Sequence, residues 1–112
     1  MTLEEQNQKS IKDTMDIIIN AGDARAFISE ALDAVAEFNY SVAKQKMKVA
    51  EEKLTVAHRL QTKKLQQEAE GDDIQYSVLF THAQDTLMTI KTEFNLTNKL
   101  ITVFEKRDQQ KR

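Results

Sequence analysis

Two side chains in the C-terminal third of the chain, His82 and Asp85, have the types and the spacing that could support chemistry. In a helix, residues three positions apart are neighbours on one face, so the imidazole and the carboxylate would lie side by side. A neutral imidazole is a competent nucleophile, and its charge changes near neutral pH. A carboxylate can take up a proton or bind a hard cation. Histidines in helices are more often surface or packing residues, so the pair alone leaves the chemistry open.

The other histidine, His58, carries a weaker signal, and we interpret it as a surface or packing residue. Two histidines on separate helices do not predict a zinc site. The chain contains no phosphate-binding glycine loop, no dinucleotide-binding glycine pattern and no catalytic-triad signature, so no organic cofactor is expected. The net charge of −2 argues against nucleic acid as the main ligand.

The stretch around His82 has two helical faces with a buried character. The first is the usual broad apolar stripe that packs on its own domain, and it contains Leu79, Ala83, Leu87, Ile90, Phe94, Ile101 and Phe104. The second face contains Val78, His82, Asp85, Thr89, Leu96 and Val103. A helix with two such faces usually has two partners, so we expect the second face to meet another copy of the chain. The alternative is that this face, with Asp85, is exposed to water.

The elements that position these residues are predicted to be three long helices in one domain, residues 1–112. Two glycines, no prolines and no cysteines leave little turn chemistry, which favours an all-α chain. We expect helices at about 3–38, 40–70 and 76–106, with a frayed tail at 107–112. Very short links between such helices predict an antiparallel up-down-up bundle. Three helices of this length make a thin rod, which favours self-association.

Three small residues refine these boundaries. Asn39 is a good N-cap for the second helix, and Gly71 suits the left-handed position just after its end. Gly22 lies inside the first helix, where we expect either a bend or the close approach of another backbone, and favour one long helix with a bend. The first helix is predicted to pack through Ile11, Met15, Ile18, Ile19, Ala26, Ile28, Ala31, Leu32 and Val35. The second is predicted to pack through Ala43, Met47, Ala50, Leu54, Ala57 and Leu65.

The sequence also favours a cytoplasmic location. It has no apolar run of about 18 residues that could span a membrane. Its acidic, polar N-terminus is unlike a signal peptide, and the absence of cysteine fits the cytosol.

If second faces of several copies meet on one axis, Asp85 would be repeated there at close range. Two carboxylates about 4 Å apart repel by about 1 kcal/mol in water and by more at a lower effective dielectric. Either a proton or a divalent cation such as Mg²⁺ or Ca²⁺ would relieve this repulsion.

Four blocks of the sequence, in order, resemble one protein family. They are Asn20-Ala-Gly-Asp-Ala-Arg25, Ala57-His-Arg-Leu-Gln-Thr62, Glu68-Ala-Glu-Gly71, and Thr81-His-Ala-Gln-Asp-Thr-Leu-Met-Thr89 preceded by Tyr76-Ser-Val-Leu79. The family is the lactose/cellobiose-type IIA component of the bacterial sugar phosphotransferase system, which includes chitobiose proteins. The resemblance covers about residues 12–106.

The resemblance implies a homotrimer that is packed largely through helix three. It implies that His82 is the phosphoacceptor and that Asp85, one from each of three chains, binds a divalent metal such as Mg²⁺ on the three-fold axis. Gln84 matches a glutamine of the same motif. Thr86 stands where the family usually has a second histidine, so that histidine's role is not carried over. Thr81, Gln84 and Thr86 are supporting candidates because they could hydrogen-bond phosphoryl oxygens.

The implied activity is a phosphoryl relay during uptake of a disaccharide. The phosphorylated carrier protein HPr is the expected donor, the cysteine of the IIB component the acceptor, and the membrane component IIC an indirect partner. Two alternatives keep the same bundle: a trimeric helical interaction protein that transfers nothing, and a regulatory phosphoacceptor without a transport role. Phosphate on His82 separates the first alternative from the relay, and the identity of the partner separates the second.

Overall fold

The computed structural model describes residues 2–71 and 77–111, which form three long α-helices. Helix α1 spans Leu3–Ala36, α2 spans Tyr40–Ala69 and α3 spans Val78–Gln110. The molecule is 64 Å long and about 20 Å across, with principal extents of 64 × 20 × 19 Å. None of the described helices is long and apolar enough to cross a membrane.

Each helix begins with a polar side chain that satisfies a free amide of its first turn. Thr2, Asn39 and Ser77 are the N-caps, and each accepts a hydrogen bond from the backbone N–H three residues further on, at 3.2, 3.2 and 3.1 Å. Gly71 follows the end of α2 with a φ of +90°, in the left-handed region. The sequence predictions for Asn39 and Gly71 are therefore confirmed.

Contacts between the helices fix their directions. Partners on α1 and α2 pair early residues with late ones, as do partners on α2 and α3, so α1 and α3 run in the same direction. The contacts are Lys63–Asp13 and Lys46–Glu30 for α1 and α2, Lys64–Phe80 and Lys44–Glu105 for α2 and α3, and Arg25–Glu93 for α1 and α3. This is the up-down-up antiparallel bundle predicted from composition and link length.

The core that joins the helices is built largely from small residues. Seven of its members are alanines without exposed surface, which allows the helix axes to approach closely. The buried apolar residues are Ile17, Ala21, Ala24, Ile28 and Ala31 of α1, Ala43, Met47, Ala50, Leu54 and Ala57 of α2, and Ala83, Leu87, Ile90 and Ile101 of α3. Thr14, Gln61, Lys64 and Thr97 are also buried.

The predicted packing face of α1 is partly wrong. Ile11, Met15, Ile19, Ala26 and Leu32 are exposed. The buried face is instead set by Thr14, Ile17, Ala21 and Ala24, which recur three and four residues apart. Small side chains are buried on this face because α1 packs closely against both other helices, and larger side chains would keep the helices apart.

Smaller differences concern the other helices. Leu65 and Phe104 are exposed, although each was assigned to an inner stripe. α3 continues to Gln110, so the expected fraying from residue 107 is not seen over the described part of the tail. Helix α1 is continuous through Gly22, and a Cβ at that position would meet no atom within 4 Å, so no other backbone approaches there. The predicted start of α3 at residue 76 lies outside the described residues.

Candidate functional site

His82 lies in the second turn of α3, on a helix start that is held by several hydrogen bonds. Ser77 caps the helix by accepting the Phe80 N–H, and its carbonyl oxygen accepts both the backbone N–H and the hydroxyl of Thr81, at 3.1 and 3.2 Å. His82 itself is exposed, and its ring has no hydrogen-bond partner among the described residues. A rigid helix therefore presents an open imidazole to solvent or to a visiting protein.

The three supporting candidates are not equally placed. At about 100° per residue, Thr86 lies one turn beyond His82 on the same side of α3, whereas Gln84 lies about 160° away. Gln84 and Thr86 are half-buried and Thr81 is exposed. The Thr81 hydroxyl already donates to the Ser77 carbonyl. Within one chain, Thr86 is thus the supporting candidate nearest to the imidazole.

Asp85 is exposed one turn after His82, and its carboxylate has no partner among the described residues. The hydroxyl of Thr89 donates to the Asp85 carbonyl oxygen at 2.8 Å, so that contact leaves the carboxylate free. The three apolar members of the second face, Val78, Leu96 and Val103, are 72%, 57% and 48% exposed. The second face as a whole is therefore accessible in the single chain, apolar along its length and acidic near one end.

Within the described ranges of one chain, no group of three or more histidine, cysteine, aspartate or glutamate side chains could hold a metal ion. Asp85 offers one exposed carboxylate, which suits a hard cation in type but not in number. The residues fit a divalent metal only if further copies of the chain bring their own Asp85 to the same point.

His58 occupies an exposed position on α2 and joins no such group with His82. This placement agrees with the interpretation of His58 as a surface residue.

A polar cluster near the start of α3 was not found from the sequence. Lys64 of α2 is only 6% exposed. Its ammonium donates hydrogen bonds to the Ser10 Oγ at 2.6 Å and the Thr14 Oγ1 at 2.9 Å, and it lies 4.8 Å from the centre of the Phe80 ring. Burial lowers the pKa of Lys64, while the charge of Asp13 acts in the opposite direction. The available signal was the spacing of the inner stripe of α2, which after Ala57 continues through Gln61 and Lys64 rather than Leu65.

A second feature missed from the sequence is an exposed apolar row on α1, formed by Ile11, Met15 and Ile19 at intervals of four residues. The contact between Arg25 of α1 and Glu93 of α3 joins residues 68 positions apart. At this separation, His82 lies level with Thr14 and therefore close in height to Met15. The candidate site and this apolar row occupy the same part of the rod.

Comparison with known proteins decides the family. The family model described as PTS system, Lactose/Cellobiose specific IIA subunit matches residues 12–105, which include His82, Asp85 and the three supporting candidates. The chain belongs to this family.

Individual relatives agree with that assignment. The lactose-specific EIIA component of Staphylococcus epidermidis is 41% identical over 91 residues, covering 81% of this chain and 88% of the relative. The crystal structure of the cellobiose-specific enzyme IIA of Bacillus anthracis matches with a TM-score of 0.84 at 33% identity, covering 97% of this chain and 94% of that one.

A third match shows a relative in a complex. The chitobiose IIA protein of Escherichia coli, solved in complex with HPr, matches with a TM-score of 0.74 at 31% identity, covering 88% of this chain and 96% of that one. The chain is therefore a lactose/cellobiose-type IIA component of the phosphotransferase system, and the resemblance stated from the four sequence blocks is confirmed.

Proposed function

We propose that this protein carries phosphoryl groups on His82, taking them from phosphorylated HPr and passing them to the cysteine of the IIB component during uptake of a disaccharide of the cellobiose, lactose or chitobiose class. The observation that carries the proposal is the exposed imidazole on a capped, rigid helix in a chain of this family. The relative solved with HPr supports HPr as the donor.

In the first step the Nε2 of His82 attacks the phosphorus in line, forming a new N–P bond as the N–P bond to the HPr histidine breaks. In the second step a cysteine thiolate of IIB attacks the same phosphorus, forming an S–P bond as the His82 N–P bond breaks. The IIC component is reached indirectly, through IIB, and the relay runs on the cytoplasmic side of the membrane. No organic cofactor takes part.

The work left to this protein is mainly positioning, as is general in phosphoryl transfer. The capped start of α3 orients the His82 ring, and the exposed surface around it admits one partner and then the other. The hydroxyl of Thr86, one turn further along the same side, is placed to donate to a phosphoryl oxygen. Thr81 and Gln84 remain supporting candidates, and would hydrogen-bond a phosphoryl oxygen on a neighbouring copy of the chain.

We further propose that the active form is a homotrimer joined through the second face of α3. Half or more of the surface of Val78 and Leu96 is exposed in the single chain, and burying such side chains against other copies would release water from apolar surface. Closed rotational symmetry would then place one Asp85 from each chain near the axis. A divalent ion such as Mg²⁺, when bound there, would offset two of the three negative charges and relieve the repulsion between the carboxylates.

A mass measurement tests the relay. Wild-type protein incubated with phosphoenolpyruvate, the first enzyme of the system and HPr is expected to gain one phosphoryl mass per chain. The gain should disappear in His82→Ala and persist in His58→Ala, the matched control for losing an exposed histidine. A protein phosphorylated on His58, or not at all, would refute the assignment.

A further inference from the structure

We infer that Lys64 is a positioning residue for phosphoryl transfer: through Phe80 it holds the first turn of α3, and with it the ring of His82, in the orientation that the reaction needs. The inference rests on the proposed relay through His82. Lys64 does not act on the phosphoryl group itself, because it contacts Phe80, which lies about 160° around α3 from His82.

Lys64 is the point where the three helices meet at the His82 end of the rod. The side chain leaves α2, donates to Ser10 and Thr14 of α1, and places its charge against the ring of Phe80 on α3. Phe80 is the residue whose backbone N–H is capped by Ser77. One buried cation therefore joins α1 and α2 to the capped turn of α3, two residues before His82.

The fold alone does not explain a charge at this position. None of the described carboxylates lies within 4 Å of the Lys64 ammonium, and the nearby Asp13 forms its ion pair with Lys63 at 3.7 Å. The cation is held by two neutral hydroxyls and an aromatic ring, while burial lowers its pKa. Removing a charge from water is costly, and an apolar side chain of similar volume is often equally stable in such places.

The hydroxyl partners do not require the lysine either. The Thr14 hydroxyl donates its own hydrogen to the Ser10 carbonyl at 2.9 Å, and so accepts from Lys64 as an additional contact. Lys64 adds an oriented interaction beyond packing. Its fixed ammonium attracts the face of the Phe80 ring, which restricts the Phe80 side chain and the first turn of α3.

The first experiment replaces Lys64 by methionine, which has an unbranched chain of similar length and no charge. We expect the rate of phosphoryl transfer from saturating phosphorylated HPr to fall about tenfold, because small misplacements of a reacting group have large effects on rate. The KM for HPr should change less than about twofold, since the docking surface around His82 is untouched. The melting temperature should not fall.

Lys63→Met is the matched control. It removes a neighbouring lysine of the same charge from the same turn of α2, but this side chain is half-exposed and is paired with Asp13 rather than Phe80. Its transfer rate should stay within about twofold of wild type.

Phe80→Leu tests the route of the effect and covers the case in which Lys64→Met folds poorly. It keeps the contacts of Lys64 with Ser10 and Thr14 and removes the ring. We expect a similar loss of rate, and the double variant should be no slower than either single one, because both changes break the same connection. The ring ¹⁵N resonances of His82 should shift in both variants and stay unchanged in Lys63→Met.

The outcomes separate this inference from the proposed function. If wild type takes up no phosphate, or His82→Ala still does, the relay itself is wrong. If wild type is phosphorylated on His82 and Phe80→Leu transfers at the wild-type rate with unshifted His82 resonances, the positioning role of Lys64 is refuted. A rate loss in Lys64→Met that only follows a fall in its melting temperature, with Phe80→Leu unaffected, also refutes it.

Discussion

The guanidinium of Arg25 on α1 binds both carboxylate oxygens of Glu93 on α3, with Nε to Oε2 at 3.1 Å and Nη2 to Oε1 at 3.0 Å. This two-pronged contact joins residues 68 positions apart on the two helices. Nearer the start of α3, Lys64 contacts both Thr14 of α1 and the ring of Phe80, which agrees with a similar offset and with α1 and α3 running parallel. That register brings the start of α3, with His82, level with Thr14.

The Arg25–Glu93 pair should contribute little to stability despite its good geometry. Both side chains are about half-exposed, and exposed ion pairs typically contribute about 0.2–1 kcal/mol. We expect Arg25→Met to lower the free energy of unfolding by less than about 1 kcal/mol, with a double-mutant cycle against Glu93→Gln giving a coupling of about 0.5 kcal/mol. Urea titration measures both quantities. Arg59→Met, which removes an exposed arginine without an ion pair among the described residues, is the control.

The turn between α1 and α2 contains a residue with a strained backbone conformation. Phe38 follows the end of α1 with a φ of 60°, and its N–H bonds the Val35 carbonyl while the Asn39 N–H bonds the Ala34 carbonyl. This is a Schellman ending, in which glycine is preferred at the position of Phe38. The phenylalanine is 67% exposed, so little burial offsets the backbone strain. We expect Phe38→Gly to raise the free energy of unfolding by about 1 kcal/mol in urea titration.

The end of α2 offers the reverse experiment. Gly71 occupies the matching position after α2, its N–H bonds the Glu68 carbonyl at 3.1 Å, and its φ is +90°. A Cβ there would meet no atom within 4 Å, so any cost of Gly71→Ala comes from the backbone and not from crowding. We expect this variant to lose about 1 kcal/mol of stability. Equal effects of the same sign in Phe38→Gly and Gly71→Ala would contradict the assignment of strain.

The buried Lys64 gives the stability a defined pH dependence. Burial lowers its pKa in the folded state below the usual 10.5, so between the two pKa values the unfolded chain binds more protons than the folded one. The stability of wild type should therefore rise with pH through that window, relative to Lys64→Met, and level off above pH 10.5. Urea titrations of both proteins between pH 7 and pH 10.5 measure this difference, in which the other lysines cancel. If the stability of wild type fell with rising pH relative to that of Lys64→Met, the predicted sign would be wrong.

The sequence predicted the architecture because that depends on few features. Absent prolines, scarce glycines and apolar repeats of three and four residues are compatible with three long helices and short links, and the N-cap Asn39 and the glycine Gly71 mark real boundaries.

The packing phase of α1 was harder to predict, because Ile17, Ile18 and Ile19 are consecutive and fit any of several faces. The structure buries Ile17 completely and leaves Ile19 exposed, and the decision lies with Ala21 and Ala24, whose small size permits close helix contact. An apolar side chain on an exposed face looks the same in sequence as one in the core.

The candidate site, too, could be predicted only in part from the sequence. Helical spacing placed His82 and Asp85 as neighbours on one face of α3, since spacing fixes direction along a single helix, and both are exposed in the single chain. It could not assign a role to Lys64, because its partners lie on other helices. Ser10 is on α1, 54 positions earlier, and Phe80 is on α3. Contacts between helices depend on their register, and no local pattern records that.

The trimer and its metal are tested together by changing Asp85. Wild type is expected to sediment as a trimer and to hold one divalent ion per three chains. Asp85→Leu should remove the ion and leave a trimer, because three apolar side chains then meet where three carboxylates would have repelled each other. Asp85→Lys should weaken assembly, because three ammonium groups would meet with no anion between them.

Sedimentation equilibrium and elemental analysis provide the two measurements, and Glu52→Lys, at an exposed position on α2, is the control for charge reversal. A monomeric wild type would refute the trimer, and an Asp85→Leu protein that still binds the ion would refute this carboxylate as the ligand. The two variants differ because assembly depends on the sign of the charge at the axis, whereas binding of the cation depends on the oxygen atoms themselves.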